Sequence, residues 1–196
     1  MYLRCLPRRV DNCIHFVTPE CLILVGIYDE FSWIRCEGKG SFQNSALMKA
    51  FGDERINDGE ICLVVDLEAC TGMDSTFMGT LGGMATRISS RLGGLLQITA
   101  ASERNRRSLE DLGLDFFMEI DPAEALWRGQ LTTIRSDLKL AKVKQTLPGG
   151  RIQRTEHILQ AHQTLAAANE KNAQEFSAVV KLLGAELQQK LKRKDS

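Results

Sequence analysis

The stretch from Ile61 to Leu81, ICLVVDLEACTGMDSTFMGTL, constrains this chain more than any other. Ile61-Cys62-Leu63-Val64-Val65 is a short apolar run that stops at Asp66. A run of that length, rich in β-branched residues, reads as a strand buried on both faces. Residues 66–73 read as a short connection. Asp74 and Ser75 are favoured helix N-cap residues. After them Met78, Leu81, Ala85, Ile88 and Leu92 recur at three- and four-residue steps along one apolar helix face. The unit is therefore buried strand, loop, capped helix. Ser75 and Thr76 carry hydroxyls beside the unpaired backbone N–H groups of the first helical turn. A phosphate attached there would meet those donors and the positive end of the helix dipole. Capping alone also accounts for Asp-Ser-Thr at a helix start.

The flanking sequence sets the unit in a sheet. Cys21–Ile27 and Phe31–Cys36 read as strands joined by a tight turn at Tyr28-Asp29-Glu30, an antiparallel hairpin. Gly38-Lys39-Gly40-Ser41 lacks the GK[ST] ending of a phosphate loop and reads as a strand-to-helix turn. Residues 42–52 read as a helix with Leu47, Met48 and Phe51 inward. Gly93-Gly94 closes the helix after the central strand, and Leu95–Thr99 is the next strand. Ser102 caps a helix that reaches Leu112 and stops at Gly113. Phe116–Ile120 closes the sheet, and Asp121-Pro122 opens a short helix through Trp127. The order predicts an α/β fold: a mixed sheet of about five strands with helices mainly on one side.

Four regions follow: an N-terminal arm at 1–20, the α/β domain at 21–128, a linker with a short helix at 129–151, and one long C-terminal helix at 152–194. Ile158, Leu165, Phe176, Val180, Leu183, Leu187 and Leu191 trace an apolar stripe on that helix, thinned at Ala166-Ala167-Ala168-Asn169. The stripe needs cover. A second copy of the chain, another partner or the chain's own domain would each provide it.

Composition removes several function classes. The net charge is zero, so no global field draws nucleic acid or an acidic membrane. No apolar run approaches the about 18 residues of a membrane span. Six cysteines include no CxxC pair and read as reduced. Cys36 and Cys62 lie in apolar strands, whereas Cys5, Cys13 and Cys70 are expected to be more accessible. His157 and His162, five apart, do not share a helix face as HExxH ligands do, so zinc is not expected. No GxSxG elbow occurs, and Cys70 has no base nearby in sequence. Neither an enzyme nor a cofactor is expected. Arg104, Arg106 and Arg107 read as a solvated helix face, with a docking patch for an acidic partner as the alternative.

Asp66-Leu67 followed by Met73-Asp74-Ser75-Thr76-Phe77-Met78-Gly79 resembles the D-L…D-S-[ST]-G-L-G signature of STAS domains of the anti-sigma factor antagonist kind. The likeness spans roughly residues 21–125, and ASERNRRSLEDLGL resembles the helix after that family's fourth strand. Phe77 stands where the family usually has Gly, and an Asp often found near Ser41 is missing. The resemblance implies that the hydroxyl after Asp-Ser is phosphorylated: Thr76, with Ser75 as the alternate acceptor. It implies partner contact at Asp74, Phe77, Met73 and Ser41, with the Thr76 hydroxyl expected to project into solvent. The implied partner is an anti-sigma factor that is an ATP-dependent serine/threonine protein kinase, in the cytoplasm, with transcription as the output. The competing reading is a STAS scaffold or accessory subunit of a sensory or transport complex, with an unused hydroxyl motif.

Overall fold

The computed structural model describes residues 21–141 and 150–194. The expected arm at 1–20 and residues 142–149 of the expected linker lie outside them.

Two strands open the domain, β1 (Cys21–Ile27) and β2 (Ser32–Gly40), paired antiparallel with Ile27 opposite Ser32. Helix α1 (Phe42–Asn57) follows, then β3 (Cys62–Asp66), β4 (Cys70–Met73), α2 (Ser75–Ser89), β5 (Leu95–Thr99) and α3 (Glu103–Asp111). A short β6 (Glu119–Ile120), α4 (Leu131–Asp137) and β7 (Lys139–Leu140) complete the domain. The sheet runs β6-β5-β3-β2-β1-β7, with β4 beside the far end of β2. β3 pairs parallel to both β2 and β5, so the apolar run at its heart is walled on both sides.

The mixed α/β architecture is the one the sequence predicts, with more strands. β4 lies in what reads as a plain connection. It pairs with Gly38–Gly40, because β2 continues through the glycines that look like a break. The expected strand at 116–120 shrinks to β6 behind a 3-10 turn at Leu114–Phe116. No helix forms at 121–127. Instead Trp127 is 1% exposed and stacks edge-on against Trp33 at 5.5 Å. It caps the sheet face opposite α1 and α2, together with Phe31, Val64 and Ile134.

The single C-terminal helix is corrected to two: α5 (Arg151–Ala168) and α6 (Glu170–Lys194). Asn169 breaks the run. Its backbone is extended, and its side-chain oxygen accepts the N–H of Asn172, an N-cap that starts α6 afresh. The two helices form an antiparallel hairpin, with His162 stacked on Phe176 and Lys190 Nζ donating to Thr155 Oγ1 at 2.7 Å. The chain's own domain covers part of the apolar stripe: Leu165 is fully buried in the main core and Phe176 packs against it, whereas Leu191 is exposed.

Candidate functional site

β2 and β4 run parallel and side by side, Gly40 opposite Met73, and each turns at once into a helix. Two helix N-termini therefore start at one sheet edge. Ser41 caps α1, accepting from the N–H of Gln43, while its own N–H donates to Asn44 Oδ1 at 2.8 Å. Asp74 caps α2 and joins the two starts. Its Oδ1 accepts the N–H of Phe77 at 2.8 Å, and its Oδ2 accepts the N–H of Phe42 at 2.9 Å. One carboxylate thus serves two orphan donors and lies at the positive ends of two dipoles.

Ser75 and Thr76 open α2 beside this clamp, but neither hydroxyl stands free. Thr76 is 5% exposed, so the expectation that it projects into solvent is corrected. Ser75 is half-buried, and its Oγ lies 3.1 Å from His162 Nε2. The Nδ1 of that ring is 2.9 Å from the Ile158 carbonyl, which can only accept. In the neutral ring Nδ1 therefore carries the proton, and Nε2 accepts the Ser75 hydroxyl. A second pair lies alongside, Ser45 Oγ to His157 Nε2 at 2.8 Å. The two histidines do not share one helix face, yet both reach the domain because α5 lies across α1 and α2 together.

The remaining expected contacts divide. Met73 is half-buried and packs against the core. Phe77 is 0% exposed, and a Cβ on Gly40 would come within 2.9 Å of its ring, so Phe77 is a core plug and no surface contact. Cys70 is buried in β4, correcting its expected exposure. The neighbouring Cys36 thiol, helped by the Gly72 and Gly40 backbone and Asn105, lowers the Cys70 pKa to about 6 against the upward pull of burial. Burial, reinforced by Glu60 and Glu119, pushes the Cys62 thiol up to about 11.

Sequence reasoning did not find three features of the site. The histidine pairs join residues 87 and 112 positions apart. The glycines of α2 are where α5 approaches: a Cβ on Gly79 would lie 2.2 Å from the Ala161 carbonyl oxygen. Gly79, Gly82 and Gly83 inside one helix were the available signal, since each is unfavourable there by about 1 kcal/mol relative to alanine. The third feature is a charge cluster at Asp66, which is fully buried. It accepts Arg35 at 2.7 Å, Arg135 at 2.8 and 3.1 Å and the Glu68 N–H at 3.0 Å.

The STAS domain family model matches residues 23–126, more than half of the chain, and the chain belongs to that family. Similar solved structures include an anti-sigma factor antagonist from Mycobacterium paratuberculosis, 22% identical over 60% of this chain and 97% of that one, with a TM-score of 0.47. Another is the Bacillus cell fate determinant SpoIIAA in its phosphorylated form, 18% identical over 52% of this chain and 92% of that one, with a TM-score of 0.44. No curated protein matches the sequence. No helix among the described residues is long and apolar enough to cross a membrane.

Proposed function

We propose that this STAS-domain chain is a non-catalytic, phosphorylation-controlled protein-binding switch in the cytoplasm. Its partner is an anti-sigma factor with ATP-dependent serine/threonine kinase activity, bound by the unphosphorylated form. The observation that carries the reading is the Ser75-Thr76 pair at the clamp where two helix N-termini meet. A phosphate brings about −1.5 to −2 charges at neutral pH, and a helix start accommodates such charge with a gain of roughly 0.3–1 kcal/mol. The neighbouring Asp74 carboxylate opposes that charge, and a partner surface in close contact would meet a bulky dianion. Ser75 is the more accessible acceptor, and Thr76 is the one the family signature points to.

Phosphopeptide mapping of the chain isolated from growing cells tests this. Phosphate is expected on Ser75 or Thr76, and Ser75→Glu is expected to weaken partner recovery about 100-fold, roughly 2.8 kcal/mol at 1.4 kcal/mol per decade. Absence of phosphate at both positions, with partner recovery unaltered in Ser75→Glu and Thr76→Glu, would defeat the switch. The burial of Thr76 favours the second reading, a STAS scaffold whose hydroxyls serve packing, and that outcome would establish it.

A further inference from the structure

We infer that the α5–α6 hairpin is a detachable cover over the partner site, so that a protein reaches the Ser75-Thr76 turn only after the hairpin has left α2. The inference rests on the reading of that turn as a partner site. The hairpin lies directly on it: His162 holds the Ser75 hydroxyl and His157 holds Ser45. At Gly79 the two backbones come so close that no side chain fits between them. A kinase active site or a binding surface cannot share this space with α5.

Three features mark the contact as one that opens. First, open grooves border it on both sides of the fully buried Leu165. A groove of about 420 Å³ flanks it on the Lys49 and Arg87 side, and one of about 390 Å³ on the Leu114 and Phe117 side. Second, the closed form carries an internal cost. Asn172 is fully buried where α6 meets Leu112, and its side-chain oxygen has no hydrogen-bond partner among the described residues, although its Nδ2 donates to the Leu112 carbonyl at 2.9 Å. Third, the hairpin supports itself. The stacking of His162 on Phe176 and the Lys190–Thr155 bond lie within it, so α5 keeps one covered side when it departs.

The substitutions that open the cover lie in the hairpin alone. Ala161→Glu with Leu165→Glu places two carboxylates in the contact, in the full-length chain. Ser75→Cys, introduced with and without those changes, reports access. Iodoacetamide labelling of that cysteine, resolved by peptide mass spectrometry, is expected to be at least tenfold faster in the opened chain. Labelled ATP and extract of the source cells then report phosphate at Ser75 or Thr76, expected at least tenfold higher in the opened chain that retains Ser75. Near-ultraviolet circular dichroism from Trp33 and Trp127, on the far face of the sheet, checks that the domain stays folded. If it does not, His157→Ala with His162→Ala replaces the carboxylate pair, with a several-fold acceleration of labelling expected. Equal labelling in closed and folded opened chains overturns the cover. Faster labelling with equal phosphate overturns the need for opening. Faster labelling with no phosphate in either chain retires the phosphorylation switch and leaves the hairpin as a cover over an unmodified surface.

Discussion

Asp66 and Asp74 are two acidic residues of one signature that serve different ends. Asp74 faces backbone N–H groups, and its charge lies on two helix dipoles. Asp66 faces guanidinium groups. It is fully buried between Arg35 and Arg135, whose side chains are 12% and 21% exposed. Burial alone would lower the pKa of Arg35, but its hydrogen bonds to Glu37, Asp66 and Glu68 outweigh that and raise it. Removing one member of a buried pair leaves uncompensated charge, at about 3–5 kcal/mol. Asp66→Ala is expected near the low end of that range, because Glu68 still reaches both arginines. Denaturant unfolding checks this, and a loss under about 1 kcal/mol would show that the cluster is solvated and not structural.

At the level of elements, α2 carries its glycines in unequal positions, which gives a paired prediction. Gly79→Ala gains about 1 kcal/mol of helix propensity but sets a Cβ 2.2 Å from the Ala161 carbonyl. Gly83→Ala gains the same and meets only Thr164 Oγ1 at 3.5 Å. Gly83→Ala is expected to be neutral or stabilising by up to about 1 kcal/mol. Gly79→Ala is expected to loosen α5 and lower the melting temperature. The reverse order would mean that α5 does not lie on α2 in solution. These glycines also show where sequence reading stops. β3, α2 and its Asp74 cap were legible because period, cap and breaker act within a few residues. Hidden were the contacts that depend on distant chain: Arg135 on Asp66, Phe77 against Gly40, and α5 over Ser75 and Thr76. The break at Asn169 was legible in principle, since asparagine caps helices, but an apolar stripe continuing on both sides masked it.

The whole molecule is a sheet with two different faces, one closed by Trp127 and α4 and the other by α1, α2 and the hairpin. The second closure carries a titratable group, which couples it to pH. Burial lowers the pKa of His157 below its usual value, and the charge of Lys49 adds to this, while Asp53 and Asp74 pull the other way. The closed form therefore holds the neutral ring, whereas a released or unfolded chain takes up a proton near pH 6.5. Above pH 6.5 the stabilisation by neutral His157 is fully present. As pH falls from there towards the depressed value of the folded state, the open form binds more protons and closure weakens, by at most about 1.4 kcal/mol per pH unit for one group. Acidification from pH 7.5 to 5.5 should lower the melting temperature of the native chain more than that of His157→Gln, which can still hydrogen-bond Ser45 but cannot titrate. Taking the difference between the two chains removes the contribution of the carboxylates they share. Parallel curves would show that the ring is already solvated in the native chain, and so that α5 does not seat His157 against Ser45.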